Sequence, residues 1–202
     1  FSRSRGLGDV YKRQEGDFGT ATTFDFVNDA SAAVDYLKKR PEVDSTKVVV
    51  IGHSEGGLIA NILGAKISNL SGIVSLAGTS IRGDSILNIQ TRLIAQSNGQ
   101  KGDQLELTNA FNESIWEATI ASQNIQDFEK ELAAISHDFI KRFRKKGIIK
   151  KREQTEIINA VYNTWLNPWM YEFIRYSPSI DIPNIKCNVL VLIGSKDIQV
   201  TC

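Results

Sequence analysis

The sequence predicts an α/β fold with a mostly parallel sheet, flanking helices and a long helical insertion. Three short, mostly apolar runs, at 47–51, 72–77 and 188–193, are each followed directly by a glycine. They do not alternate polar and apolar residues, which is typical of strands buried on both faces of a covered parallel sheet. Helical patterns lie between them, and strands that alternate with helices indicate βαβ units, whose strands run parallel.

The elements before the insertion can be predicted in order along the chain. A helix over 25–40 is indicated, with Thr23 placed to cap its start and Pro41 placed to end it. Its apolar residues recur at helical spacing: Phe26, Ala30, Ala33, Tyr36 and Leu37. A tight turn over 52–57 follows the first strand, and a second helix over 58–67 leads to the second strand.

The region 84–177, between the second and third strands, has helical periodicity and no convincing strand. We interpret it as a helical insertion that caps a pocket, inside a core formed by 15–83 and 178–202. Its segment 141–152 is strongly basic. One interpretation of that segment is a nucleic-acid surface. The other is a solvated helix face and a turn around Gly147, which the near-neutral charge of the chain favours.

Composition excludes several classes of function. The 202 residues carry 24 Lys and Arg against 23 Asp and Glu, so there is no general electrostatic attraction to nucleic acid or to an anionic membrane. No apolar run approaches the roughly 18 residues that a membrane-spanning helix needs. Two cysteines and two histidines, without the spacing of metal ligands, indicate neither a disulfide scaffold nor a metal site. We therefore expect no nucleic-acid partner and no membrane partner.

Both ends of the chain are unusual. The chain begins with Phe1, and Ser4 to Gln14 match one reading frame of a transposase adapter used in DNA library preparation. We interpret 1–14 as an adapter-derived scar and leave it out of the fold prediction. We expect the remainder to be an internal fragment of a longer protein, and its compartment and oligomeric state stay open.

The segment 50–57 has the sequence VIGHSEGG, which is G-x-S-x-G placed directly after a predicted strand and before a predicted helix. That context is typical of a nucleophile elbow, a strained turn that presents a serine hydroxyl above the end of the sheet. Ser54 is the candidate nucleophile. Gly52 and Gly56 would allow the strand and helix backbones to approach closely, and the Glu55 N–H would be one oxyanion donor. The alternative is a glycine-rich turn with a buried serine.

A serine nucleophile needs a base, and the base needs an acid that orients it. In folds with this elbow the chain order is serine, acid, histidine. Asp197 follows the third strand, so it would emerge at the same sheet edge as Ser54; a turn residue after Gly194 is the alternative. Neither His53, which adjoins the nucleophile, nor His137, which precedes the acid, fits the base. We expect the catalytic histidine to be encoded beyond Cys202.

On these residues the sequence resembles the α/β-hydrolase superfamily, and more narrowly bacterial esterases classed with serine aminopeptidase-like hydrolases. The resemblance covers about 15–200 and includes, besides 51–60, the segments 16–18, 21–26, 77–78, 167–169, 176–178 and 192–200. It implies that Ser54 is the nucleophile, that Asp197 is the triad acid, and that no cofactor is used. The first strands of the family pattern, its second oxyanion donor and its closing histidine are not in this chain. The fold expected is thus a partial α/β-hydrolase fold.

The leading hypothesis is a serine hydrolase that cleaves carboxylic esters by acyl transfer, with a small acyl ester or a short peptide as substrate. A serine peptidase or an acyl thioesterase of the same fold is the alternative. A non-catalytic binding module on a hydrolase scaffold is the alternative from another class. Because the base is missing, we expect the 202-residue chain alone to show no turnover. Because a parallel sheet that lacks strands at both sides exposes its edges, we also expect the chain alone to be poorly stable.

Overall fold

A computed structural model describes residues 19–200 of the chain. The predicted scar at 1–14 lies outside the described residues. Three strands are present: β1 is Val49–His53, β2 is Gly72–Leu76 and β3 is Asn188–Leu192. The α-helices are α1 Thr23–Lys38, α2 Glu55–Lys66, α3 Gly83–Ser97, α4 Gly102–Ala121, α5 Ile125–Lys145, α6 Gln154–Trp165 and α7 Pro168–Arg175. Short 3-10 turns occupy Lys151–Glu153, Pro178–Ile180 and Ile182–Asn184.

The three strands form one parallel sheet in the order β1-β2-β3. In its register Ile51 pairs with Val74, and Val74 pairs with Leu190. Because all three strands run in the same direction, their carboxyl ends lie at one edge of the sheet. Helix α2 connects β1 to β2, and helices α3 to α7 lie between β2 and β3. The predicted α/β class with a parallel sheet is confirmed.

Helix α1 begins two residues before its predicted start, and its N-cap lies one residue before the predicted cap. The N-cap is Thr22, whose backbone N–H and hydroxyl both donate to Asp25 Oδ2, at 2.7 and 2.8 Å. Thr23, the predicted cap, is the first helical residue and is 2% exposed. Either threonine could serve as the N-cap. Thr22 does so because Asp25, three residues later, supplies the carboxylate that completes a capping box.

Helix α2 packs against one face of the sheet, on β1 and β2, and α1 packs against α2 in turn. The apolar cluster between them contains nine buried residues: Val27, Val34, Val48, Leu58, Ala60, Ile62, Leu63, Leu70 and Ile73. Phe173 and Tyr176, at the end of the helical region, pack against the same cluster. The core of the chain is therefore continuous with the last helix of the insertion.

The opposite face of the sheet is open over the described residues, and here the prediction of strands buried on both faces is wrong. On β1, Val49 is 47% and Ile51 67% exposed, and on β3 Leu190 and Leu192 are 50% and 51% exposed. The reason is that the described helices in contact with the sheet lie against one face only, while β1 and β3 are both edge strands. A non-alternating apolar sequence shows that both faces can be covered, but not that the covering element lies within the same segment of chain.

Helices α4, α5, α6 and α7 enclose a second apolar cluster, whose buried members are Phe111, Ile115, Phe128, Leu132, Val161 and Tyr171. The Phe111 and Phe139 rings stack with centroids 3.8 Å apart and join α4 to α5. None of the helices within 19–200 is both long and apolar enough to cross a membrane.

The basic segment 141–152 covers the end of α5 and the turn after it. All eight of its Lys and Arg residues are exposed, and Gly147 forms the turn with a φ of +70°. Two of the eight form close ion pairs with acidic neighbours: Arg142 with Asp138 at 2.7 Å and Lys146 with Asp103 at 2.6 Å. These features agree with a solvated helix face.

Candidate active site

Ser54 is the single residue between β1 and α2, and its backbone is strained. Its φ is +55° and its ψ is −119°, a conformation that side-chain-bearing residues rarely adopt. The Ser54 N–H extends the sheet by donating to Leu76 O at 2.9 Å, while Ser54 O accepts from the Gly57 N–H at 2.9 Å and so begins α2. The side chain is exposed beyond the sheet edge and makes no hydrogen bond within the described part of the chain. This is the geometry of a nucleophile elbow.

The glycines beside Ser54 have different roles. A Cβ added at Gly52 would lie 1.8 Å from Gly56 O, so no side chain fits there. At Gly56 the expected crowding is absent, because a Cβ added there would have no atom within 4 Å. Gly56 approaches the strand through its carbonyl group and not through its Cα. Of these two glycines, only Gly52 therefore excludes a side chain.

A second close approach lies one residue later and was not predicted. Cβ atoms added at Gly57 and Gly78 would each lie under 3.0 Å from the backbone of the other glycine and from Ser75 Oγ. The buried Ser75 hydroxyl has no hydrogen-bond partner within residues 19–200. The adjacent pair Gly56-Gly57 gave a signal for a tight contact here, but its partner, Gly78, lies in the loop after β2 and could not be identified from spacing.

Asp197 follows β3 by five residues and is held by a local turn. Its N–H donates to Gly194 O at 3.0 Å, and its Oδ1 accepts from the backbone N–H groups of Gln199 and Val200 at 2.8 and 3.0 Å. The Val200 and Gln199 hydrogen bonds, followed by the weaker attraction of His53, lower the pKa of Asp197 below its ordinary value of 3.8. Asp197 is therefore a carboxylate at neutral pH, within electrostatic reach of the residue beside Ser54.

Ser54 and Asp197 lie at the same edge of the sheet. Ser54 follows β1 and Asp197 follows β3, with β2 between them. Two strand spacings amount to about 10 Å, which leaves a gap above the end of β2 for another side chain. The loop that faces this gap begins at Ala77, whose N–H donates to Leu192 O at 2.7 Å.

Neither histidine fills that gap. His53 is the last residue of β1, and in the register it shares the open face with Leu76 and Leu192. His137 is exposed on α5, beside Lys141 and Arg144. Within residues 19–200, no hydrogen bond joins either imidazole to Ser54 or to Asp197.

The Glu55 side chain forms a contact that the sequence did not reveal. Glu55 Oε1 accepts a hydrogen bond from Thr23 Oγ1 and another from Trp169 Nε1, both at 2.6 Å. Glu55 is the first residue of α2, Thr23 the first of α1, and Trp169 lies in α7. Nothing in the spacing of these residues signals the contact, because Glu55 lies 32 residues from Thr23 and 114 residues from Trp169.

The described residues include no set of three or more His, Cys, Asp or Glu side chains placed to hold a metal ion. Cys187 is a free, partly buried thiol beside β3. The side chains that the described residues bring to this edge of the sheet include the Ser54 hydroxyl, the Asp197 carboxylate and the His53 imidazole.

Comparison with known proteins identifies the family. Residues 30–136 match the family described as BAAT / Acyl-CoA thioester hydrolase C terminal. The matched region contains β1, Ser54, α2 and β2 and ends within α5, so it is just over half of the chain and does not reach Asp197. No curated protein matches the chain. The family is of the α/β-hydrolase type, which confirms the resemblance at the level of the superfamily, whereas the esterase and aminopeptidase subtype stays a prediction. The chain therefore belongs to the BAAT / acyl-CoA thioester hydrolase C-terminal family.

Proposed function

We propose that this chain carries the nucleophile and the acid of a serine hydrolase that transfers an acyl group from an ester or thioester to water. One observation carries the proposal: the exposed, unbonded hydroxyl of Ser54 stands on a strained turn between β1 and α2. A residue is held in such a conformation only where the surrounding structure enforces it, and such strain is concentrated at functional sites. The family description supports hydrolase chemistry at this site.

In the first half of the reaction, Ser54 Oγ attacks the acyl carbonyl carbon and gives its proton to a base. The carbonyl oxygen becomes an oxyanion, which collapses to an acyl-serine as the alcohol or thiol leaves with that proton. In the second half, water loses a proton to the same base and attacks the acyl-serine. The carboxylic acid is released and Ser54 recovers its proton.

The oxyanion donor in this proposal is the backbone N–H of Glu55. As the first residue of α2, Glu55 has an N–H without an acceptor in its own helix. The α2 dipole adds partial positive charge at the same point. Negative charge that develops on the carbonyl oxygen beside Ser54 would therefore be stabilised.

The acid in this proposal is Asp197, which would accept a hydrogen bond from the base and keep its ring oriented. Its lowered pKa keeps it ionised through the neutral range, as that task requires. The gap above the end of β2 is the place for an imidazole. In this proposal the base is a histidine that follows the acid, in agreement with the chain order serine, acid, histidine.

Two classes of leaving group, an alcohol and a thiol, fit the proposed reaction. The sequence favours carboxylic esters, whereas the family description favours a thioester with coenzyme A as the leaving group. Esters and thioesters both fit the same nucleophile, because a thiolate leaves even more readily than an alkoxide. The helical insertion, as a cap over the sheet edge, would discriminate between them through its contacts with the leaving group.

The test is steady-state kinetics on the protein expressed from its uninterrupted natural reading frame. The enzyme is assayed with p-nitrophenyl acetate and with acetyl-CoA, beside the variants Ser54→Ala and, as a matched control at an exposed serine, Ser45→Ala. We expect turnover that Ser45→Ala retains and that Ser54→Ala loses by at least a thousandfold. A higher kcat/KM for acetyl-CoA would assign the thioesterase, and a higher value for p-nitrophenyl acetate the esterase.

Two other results would reject the proposal. Turnover that Ser54→Ala retains would show that another group is the nucleophile. Absence of turnover on both substrates and on a short peptide p-nitroanilide would favour a non-catalytic module, while cleavage of the peptide alone would assign a peptidase.

A further inference from the structure

The Glu55 carboxylate lies where three elements meet. One of its oxygens accepts hydrogen bonds from Thr23 at the start of α1 and from Trp169 in α7. The Trp169 bond, at 2.6 Å, is short for an N–H donor, and the Thr23 bond, also 2.6 Å, has the usual length for a hydroxyl that donates to a carboxylate. The three elements come from distant parts of the chain, and the carboxylate joins them.

The donors to this carboxylate are themselves firmly placed. Thr23 is 2% exposed in the first turn of α1. The Trp169 ring stacks on Phe173 with centroids 5.3 Å apart and an angle of 16° between the rings. Phe173 packs in turn against the core beneath α2. The stacked pair of Trp169 and Phe173 thus links the position of α7 to that of the Glu55 side chain.

The same residue has a second task in the proposed reaction, because its backbone N–H is the oxyanion donor. That donor must point at the carbonyl oxygen, and a small change in the backbone at the first residue of α2 would turn it away. A carboxylate so close to developing negative charge would also oppose the reaction if its side chain were free. Two strong donors keep the carboxylate directed toward α1 and α7 instead.

We propose that Glu55 is a positioning residue whose carboxylate, held by Thr23 and Trp169, fixes the orientation of its own N–H and couples it to the placement of α7. This inference rests on the proposed function. It extends that function by making the helical insertion part of the catalytic geometry and not only a cover. Trp169 acts in this account through Glu55, without contact with the reacting atoms.

The experiment compares kcat and KM for p-nitrophenyl acetate in Trp169→Phe, Thr23→Val, Glu55→Ala and Glu55→Gln, in the protein from its natural reading frame. Trp169→Phe retains a ring to stack on Phe173 and removes only the N–H donor. The matched control is Trp165→Phe, which alters a partly buried tryptophan of α6 that makes no hydrogen bond in the described structure. Thermal unfolding of each variant shows whether it is folded.

We expect Trp169→Phe and Thr23→Val each to lower kcat about tenfold with KM within about twofold, since loss of an oxyanion donor outright costs a hundredfold or more. Glu55→Ala should lower kcat by more than either of these two variants. Glu55→Gln should recover most of the activity, because its amide oxygen accepts the same two bonds. Trp165→Phe should keep the wild-type kcat.

Three results would overturn the inference. The first is wild-type kcat in folded Trp169→Phe and Glu55→Ala, which would leave Glu55 a purely structural residue and the proposed hydrolase intact. The second is a loss in Glu55→Gln as large as in Glu55→Ala, which would make the charge and not the bridge responsible. The third is a loss of kcat in Trp165→Phe equal to the loss in Trp169→Phe. Inactivity of the wild-type protein would instead reject the proposed function itself.

Discussion

Among single residues, the site depends most on the absence of a side chain at Gly52. A methyl group there would lie 1.8 Å from Gly56 O, and neither backbone can move without displacing Ser54. The strained φ of Ser54 and the close approach at Gly52 are thus two consequences of the same turn. Both follow from an abrupt change from strand to helix within one residue.

This crowding leads to a first prediction. Gly52→Ala should destabilise the protein by about 1–3 kcal/mol, the usual range for overpacking in a filled site. The free energy of unfolding in urea measures the effect.

Gly56→Ala is the matched control, because its Cβ would meet open space inside α2. Alanine is the better helix former, so Gly56→Ala should be neutral or stabilising by up to about 1 kcal/mol. Equal destabilisation by the two substitutions would contradict the described geometry.

The second prediction concerns Asp197 and pH. The folded chain holds the pKa of Asp197 below 3.8, so the carboxylate stabilises the fold at any pH above the unfolded pKa. That contribution is lost as the pH falls through the lower, folded pKa. The urea midpoint of the wild type should therefore exceed that of Asp197→Asn at about pH 6, and the difference should shrink as the pH falls below 3.8. A difference that grows on acidification would show that the pKa of Asp197 is raised.

The sequence predicted Ser54 and Asp197 because each follows a recognisable strand, and a strand end places a residue at the sheet edge. It did not predict the Glu55 contact with Thr23 and Trp169. That contact depends on how α1, α2 and α7 pack, and local spacing carries no information about packing between distant elements. The misplaced cap at Thr23 has the same origin, since its side chain is committed to a partner 32 residues away.

At the scale of elements, the helices between β2 and β3 have an apolar cluster of their own. Leu132 on α5 is fully buried in it, and the neighbouring Glu131 is exposed. The cluster also contains Tyr171 of α7, the helix that carries Trp169. Packing within this cluster therefore determines where α7 meets the elbow.

The third prediction tests that packing. Leu132→Ala should cost about 2–5 kcal/mol, the range for a buried leucine truncated in a filled core. Glu131→Ala should stay within about 0.5 kcal/mol of the wild type. Urea unfolding followed by tryptophan fluorescence reports on both. A Leu132→Ala variant as stable as Glu131→Ala would show that the cluster does not stabilise the insertion.

Element bounds were predictable to within two or three residues where the pattern was clear: helical periodicity in α1, and a short apolar run followed by a glycine in each of the three strands. The burial of β1 was not predictable. Its sequence is apolar throughout, yet Ile51 is largely exposed because the described helices in contact with the sheet cover its other face. Sequence pattern indicates which surface a strand can bury, and the neighbouring elements decide whether it is buried.

At the scale of the whole molecule, the open face of the sheet is the largest feature without a described partner. It presents Val49 and Ile51 on β1 and Leu190 and Leu192 on β3, all about half exposed or more. Contiguous apolar surface of this kind drives association, and exposed edge strands promote it further.

The fourth prediction follows from this face. The 202-residue chain should self-associate, as light scattering after size-exclusion chromatography at rising concentration would show. Ile51→Thr should weaken the association. Ile180→Thr, at an equally exposed isoleucine away from the sheet, should not. A monomeric wild-type chain, or an equal effect of the two substitutions, would show that the open face does not drive association.

The molecule as a whole brings a strained serine and an ionised aspartate to one edge of a parallel sheet, two strands apart. The most direct test of this arrangement is reaction of the protein from its natural reading frame with a fluorophosphonate probe, followed by peptide mass spectrometry. We predict one adduct, on Ser54, that is lost in Ser54→Ala and strongly reduced in Asp197→Asn. An adduct on another residue, or labelling that Asp197→Asn leaves unchanged, would contradict the account.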